Sequence, residues 1–136
     1  MRNALGLDIS KATIDAAVII GDNCKTAKFD NNPLGYARLQ DWLNQPDADD
    51  LYICMEATGN YYEDAADYLG RHYKVLVVNP LKISSYAKSR FRRTKNDKQD
   101  AILIAEYCQS LKPKDLHIRQ PVKEAHYRLK RLLTLR

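Results

Sequence analysis

The sequence predicts an α/β domain with a mixed sheet, and three observations carry that prediction. The chain opens with three β-rich segments joined by very short turns, which implies an antiparallel meander. Two further apolar strands then alternate with helical segments, the pattern of βα units with parallel pairing. At 136 residues the chain suits one domain, long enough to bury a real core.

Taken in order, Leu5-Gly6-Leu7-Asp8-Ile9 alternates, with Leu5, Leu7 and Ile9 on one face and Asp8 on the other. Ser10-Lys11 supplies a tight turn, Thr13 to Ile20 is a β-branched second strand, and Gly21-Asp22-Asn23 turns the chain into a weaker third strand, Cys24 to Phe29. A helix follows, with Asn32 as N-cap and Pro33 at its first position; Leu34, Ala37, Trp42 and Leu43 form its expected buried side. After the acidic loop Asp47 to Asp50, Leu51 to Glu56 reads as a strand from the middle of a sheet, apolar until its terminal acid. Asn60 and Glu63 stand in capping-box positions for a second helix, with Tyr62, Ala65, Ala66 and Leu69 inward and Gly70 as terminator. Val75 to Val78 is the fifth strand, and Asn79-Pro80 opens a third helix. In the fourth helix Asp97, Asp100, Ala101, Ile104, Ala105, Cys108 and Leu111 lie along one stripe, with Asn96 as cap and Pro113 as stop. Residues 1–112 thus make up the expected domain. Residues 113–136 read as a linker and the start of an amphipathic or coiled-coil helix, with Val122, Ala125, Leu129 and Leu132 at heptad-like spacing; the chain reads as a fragment of a longer protein.

Composition narrows the class. Hydrophobic content of 45% and charged content of 29% are those of a water-soluble globular domain. The longest apolar runs are far too short to span a bilayer, and no signal-peptide core precedes Asp8. Cys24, Cys54 and Cys108 match neither a disulfide framework nor a zinc motif. They are expected to be buried small hydrophobes in a reducing, cytoplasmic setting. The net charge of +5 is segregated. Seven basic residues between Lys82 and Lys98 face one acid, six between Arg119 and Arg136 face another, and the rest of the chain is acidic. An acidic body with two basic stretches suits a polyanion such as nucleic acid better than pI alone would indicate; a solvated cationic face is the bland alternative.

The chemistry lies in the carboxylates. If the first and fourth strands are parallel neighbours, Asp8 and Glu56 emerge at one edge of the sheet, where a crossing helix can add Asp97 and Asp100. Apposed carboxylates repel by roughly 4 kcal/mol per pair near 4 Å at an effective dielectric of about 20. Such a cluster calls for protons or cations, and Mg²⁺ or Mn²⁺ suits all-oxygen ligands. Two such ions could serve an in-line phosphoryl displacement. Lys88, Arg90, Arg92, Arg93, Lys95 and Lys98 adjoin these acids and are suited to nucleic-acid phosphates. Read alone, Asp97 and Asp100 are equally compatible with ordinary first-turn acids favoured by the helix dipole. Tyr61 and Tyr62 are read as helix-core residues before nucleic-acid contacts, and the three histidines are assigned no chemistry.

Leu5-Gly6-Leu7-Asp8-Ile9-Ser10-Lys11, Met55-Glu56-Ala57-Thr58-Gly59-Asn60-Tyr61, Val78-Asn79-Pro80 and Arg93 to Ala101 together resemble the DEDD-type insertion-sequence transposases, a group that includes the Piv-type DNA invertases. The resemblance spans residues 5 to 111 in the family's order. It implies a RuvC-like domain of ribonuclease H-like fold, a five-stranded mixed sheet with helices on both faces. It also implies that Asp8, Glu56, Asp97 and Asp100 form the family's metal-binding acidic tetrad. DNA is the implied partner; some members also use a structured guide RNA. A second domain with a strand-exchange serine follows in the family, and self-association through the C-terminal helix is expected. Two other readings stay open at this point: a self-contained Holliday-junction resolvase or nuclease, and a non-catalytic nucleic-acid-binding module.

Overall fold

Five strands form one sheet in the order β3-β2-β1-β4-β5, so the two segments that end in Asp8 and Glu56 lie side by side near its centre. In the computed structural model the described residues are 2–44, 50–90 and 97–120, with 97–99 described in backbone only. Strands β1 (Ala4–Ile9), β2 (Thr13–Ile20) and β3 (Asn23–Asp30) make the antiparallel meander. Gly21 takes φ +58° in the two-residue turn between β2 and β3, a conformation glycine adopts without strain. Strand β4 (Tyr52–Glu56) pairs parallel with β1, and β5 (Lys74–Val78) pairs parallel with β4. The expected mixed five-stranded sheet is what forms.

Helices cover both faces. Helices α1 (Pro33–Leu43) and α2 (Glu63–Gly70) pack on the face carrying Leu5, Leu7, Ile14, Ile53 and Met55. Helices α3 (Pro80–Ser89) and α4 (Asp97–Ser110) cover the opposite face, where Ala4, Cys54, Leu76 and Val78 meet Ile83, Ile104, Tyr107 and Cys108. The N-caps of α1 and α3 are those the sequence predicts. The Asn32 and Asn79 side chains accept from the Gly35 and Leu81 N–H groups, both at 2.8 Å, and proline follows each. Among the described residues no helix is long and apolar enough to cross a membrane.

Four local expectations fail for physical reasons. Leu34 is 60% exposed, and α1 buries Gly35, Tyr36, Leu39 and Leu43 instead. The helix start presses on the end of β3, where a Cβ at Gly35 would lie only 1.8 Å from the Asp30 carbonyl oxygen; this close seat selects which side faces inward. Helix α2 begins at Glu63 with no side-chain cap, because Asn60 to Tyr62 form a turn in which the Asn60 carbonyl accepts from the Glu63 N–H. Gly70 lies within that helix and its successor Arg71 stays right-handed, so no left-handed terminator is used. Cys24 is exposed because β3 is an edge strand, while Cys54 and Cys108 are buried as expected.

After α4 the chain returns to the sheet. A 3₁₀ turn at Pro113–Asp115 leads to Arg119, whose N–H donates to the Val75 carbonyl on the outer edge of β5 at 2.7 Å. Its guanidinium meets Asp67 of α2 at 2.5 Å. Asp67 is the only buried charged residue among those described.

Candidate active site

The ladder between β1 and β4 sets the spacing of the first two acids. Gly6 pairs with Cys54 and Leu7 with Met55, so one further step brings Asp8 beside Glu56 at the same ends of parallel strands. Parallel neighbours are about 4.8 Å apart. Alternation puts both on the face that also bears Ala4, Gly6 and Cys54, the face covered by α4.

Helix α4 runs antiparallel to β1. Near its C-terminus the Arg2 guanidinium donates to the carbonyls of Cys108, Gln109 and Leu111 at 2.9, 3.1 and 2.6 Å, which satisfies helix-end carbonyls with a cation. Further along, Ala101 and Ala105 sit directly over Gly6. A Cβ there would meet the Ala101 carbonyl oxygen at 2.2 Å and the Ala105 nitrogen at 2.4 Å. Four more helix residues span about 6 Å and two strand residues about 6.6 Å. The backbone of Asp97, four residues before Ala101, therefore lies toward the Asp8 end of β1. Asp100 stands one turn before the buried Ile104, on the same stripe.

Electrostatics register the meeting of strand and helix. The half-buried Glu56 carboxyl is pushed above the ordinary carboxylate range, first by burial and then by the negative charge of Asp100; the Thr58 hydroxyl, donating at 3.5 Å, acts in the opposite sense. Asp100 thus lies near enough for its charge to act on Glu56, and Asp8 shares the Glu56 face and edge of the sheet. Among the residues whose side chains are described, no three His, Cys, Asp or Glu form a metal-holding group; Asp97 lies outside that set.

The register adds an acid that sequence reasoning passed over. Asp15 of β2 stands directly opposite Asp8, and so on the same face. Lys28, its neighbour on β3, approaches it at 3.9 Å. The constant sum of paired residue numbers in a tight hairpin could have exposed this pairing, since Asp8 with Asp15 follows from Ile9 with Ile14. Of the basic residues, Lys88 lies in the last turn of α3 and Arg90 caps it; both are exposed, and the Arg90 guanidinium sits 5.8 Å over the Tyr86 ring. Arg92, Arg93 and Lys95 lie outside the described residues, as does the expected Asn96 cap, and Lys98 is described in backbone only. Tyr62 packs on the core, but Tyr61 is 45% exposed in the turn before α2.

Comparison with known proteins follows the same lines. Two pilin gene-inverting proteins, from Moraxella bovis and Moraxella lacunata, are each 42% identical to this chain over 109 residues, which is 78% of the chain and 34% of theirs. The chain therefore spans about a third of the length of these curated relatives. Among solved structures, T. thermophilus RuvC in complex with a Holliday junction substrate aligns with a TM-score of 0.53 at 11% identity, covering 79% of this chain and 92% of that one. That likeness shows the ribonuclease H-like fold implied by the motifs. The transposase family of DEDD, IS110 type matches residues 5–136, and this chain belongs to that family.

Proposed function

We propose that the chain is the divalent-metal-dependent catalytic domain of a DNA recombinase, supporting strand cleavage and exchange in transposition or inversion. The observation that carries this reading is the apposition of Glu56 and Asp100 where α4 crosses the ends of β1 and β4. Two acids of like charge in a half-buried setting are unfavourable alone and favourable around a cation. The donor set is all hard oxygen, which fits Mg²⁺ or Mn²⁺ over softer metals. Asp8, Glu56, Asp97 and Asp100 would hold the metal, as a pair of ions. When bound, the pair supplies Lewis-acid activation of the attacking and leaving oxygens of a phosphodiester.

The chain's own contribution is positional. The strand ladder spaces Asp8 and Glu56, the Thr58 hydroxyl engages one Glu56 oxygen, and packing over Gly6 brings Asp100 across. Lys88 and Arg90 at the end of α3, with Arg92, Arg93, Lys95 and Lys98 following in sequence, hold backbone phosphates near the acids without reading bases. DNA is the substrate in this reading, in keeping with relatives named for inverting a pilin gene. A guide RNA, and self-association through residues 121–136, belong to the same proposal.

Calorimetric titration of Mn²⁺ into the 136-residue chain, with and without branched DNA, tests it. Asp8→Asn, Glu56→Gln, Asp97→Asn and Asp100→Asn should each lower the apparent affinity by about tenfold or more while circular dichroism stays unchanged. A wild type that binds no divalent cation even with DNA present overturns the reading.

A further inference from the structure

The paired residues of β1 and β4 run from Ala4 with Tyr52 to Leu7 with Met55. Asp8 and Glu56 begin just past that point, each held on its outer side, by Asp15 of β2 and Val78 of β5 respectively. The β1–β4 ladder sets the two strand ends side by side up to the pair of Leu7 with Met55. The turn after Asp8 and the loop after Glu56 are joined in addition by one side chain. The Asn31 amide nitrogen donates to the Ser10 carbonyl at 2.8 Å and to the Tyr61 carbonyl at 3.1 Å. Its amide oxygen accepts from the hydroxyl of the buried Tyr36 at 2.5 Å. The Asn31 backbone N–H donates to the Ala12 carbonyl at 2.9 Å.

We propose that Asn31 is a positioning residue that holds the Asp8 and Glu56 strand ends at a fixed spacing. Both donors of its amide are spent on the two loops, one on each, and its acceptor is oriented by a core tyrosine. A carboxamide is the group for this task, because the two carbonyls need two N–H donors diverging from one planar centre. The Ser10 turn is independently stiffened by the Ser10 hydroxyl, which meets the Thr13 hydroxyl at 2.9 Å and its carbonyl at 3.1 Å. Asn31 therefore links a preformed turn to the loop that carries Glu56, as groups outside a metal's ligand set commonly orient its ligands.

The inference rests on the metal-site reading, and the experiment separates the two. Asn31→Ala in the 136-residue chain should weaken Mn²⁺ binding by about tenfold and speed amide hydrogen exchange in segments 10–13 and 57–62 together. Asn32→Ala removes the neighbouring α1 cap, whose side chain accepts from the Gly35 N–H, and should lower thermal stability while leaving Mn²⁺ affinity intact. Equal Mn²⁺ affinity in wild type and Asn31→Ala overturns the proposal and leaves the metal site standing. A wild type that binds no Mn²⁺ overturns both. If Asn31→Ala does not fold, Tyr36→Phe, which removes only the hydroxyl orienting the amide, should weaken Mn²⁺ binding in the same direction, and an unchanged affinity there is equally fatal.

Discussion

Replacing Gly6 by alanine tests whether close packing of α4 builds the site. The new methyl carbon would sit 2.2 Å from the Ala101 carbonyl oxygen and 2.4 Å from the Ala105 nitrogen. Against ordinary contact at 3.4 Å, these fall short by 1.2 and 1.0 Å. The atoms are backbone, so no rotamer change relieves them. On the other side, β1 is fixed through Gly6 to Ala17 of β2 and to Cys54 of β4. Helix α4 must therefore lift by about 1 Å. Overpacking of this kind costs about 1–3 kcal/mol, and a radial gap of about 0.5–1 Å forfeits a quarter to a half of each dispersion contact along the buried stripe. A total near 3 kcal/mol follows, measurable by urea denaturation. Lifting α4 also carries Asp100 from Glu56, so Mn²⁺ affinity should fall by about tenfold or more. Gly21→Ala is the control: its φ of +58° makes alanine strained, but its Cβ meets nothing within 4 Å. It should cost about 1 kcal/mol and leave Mn²⁺ binding unchanged. A Gly6→Ala protein within about 0.5 kcal/mol of wild type, binding Mn²⁺ equally, refutes the reasoning.

Three further outcomes follow from the same structure. Burial and Asp100 raise the Glu56 pKa, so the folded chain binds that proton more tightly than the unfolded chain, and stability falls as pH rises from the ordinary carboxylate value through the raised one. In metal-free protein Glu56→Gln should thus be modestly stabilising at pH 7, with the gain vanishing in acid; thermal melts at both pH values check this, and a destabilised variant at pH 7 contradicts it. Arg119→Met removes the guanidinium that meets the buried Asp67 carboxylate and should lower stability, as deleting one member of a buried ion pair does. Adding Asp67→Leu should recover part of that loss, and strict additivity in the double-mutant cycle would show that the pair is not coupled. Lys88→Glu with Arg90→Glu should weaken binding to DNA of unrelated sequences alike and flatten the salt dependence, which an unchanged salt slope in a fluorescence titration would contradict.

The parts of this fold legible in the sequence are those governed by local chemistry. Period-two alternation in β1 and β2, the Gly21 turn and the two Asn-Pro helix starts need no distant partner to act. The strand-end acids Asp8 and Glu56 were readable for the same reason, because an ionisable residue closing an apolar strand stands out at once. What was hidden depends on the third dimension. Leu34 and Tyr36 are equally plausible inward residues until the seat of Gly35 on Asp30 selects one side. Asn60 has the composition of a cap, but the turn through Tyr61, whose carbonyl is taken by Asn31, delays the helix to Glu63. Asp15 becomes part of the acidic face only through its strand register. Arg119 and Asp67 stand 52 residues apart, beyond the reach of any periodicity.

The two halves of the proposed metal site are held by different forces. Asp8 and Glu56 belong to the central strands, where each has hydrogen-bonded neighbours and each precedes a loop gripped by Asn31. Asp97 and Asp100 belong to a helix that approaches the site through the packing of Ala101 and Ala105 over Gly6 and is anchored at its far end by Arg2. Hydrogen bonds along strands resist displacement better than a helix terminus does, because the first N–H groups of any helix have no acceptor within the helix itself. Repulsion between Glu56 and Asp100 then acts on the more easily displaced partner, α4. A cation held by the proposed site would offset that repulsion and favour the helix start lying on the sheet. In the proposed site, metal binding and the seating of α4 on the strand ends would therefore be coupled: a substitution that loosens α4, such as Gly6→Ala, should weaken Mn²⁺ binding, and bound Mn²⁺ should slow hydrogen exchange in the first turns of α4 more than in β1 or β4.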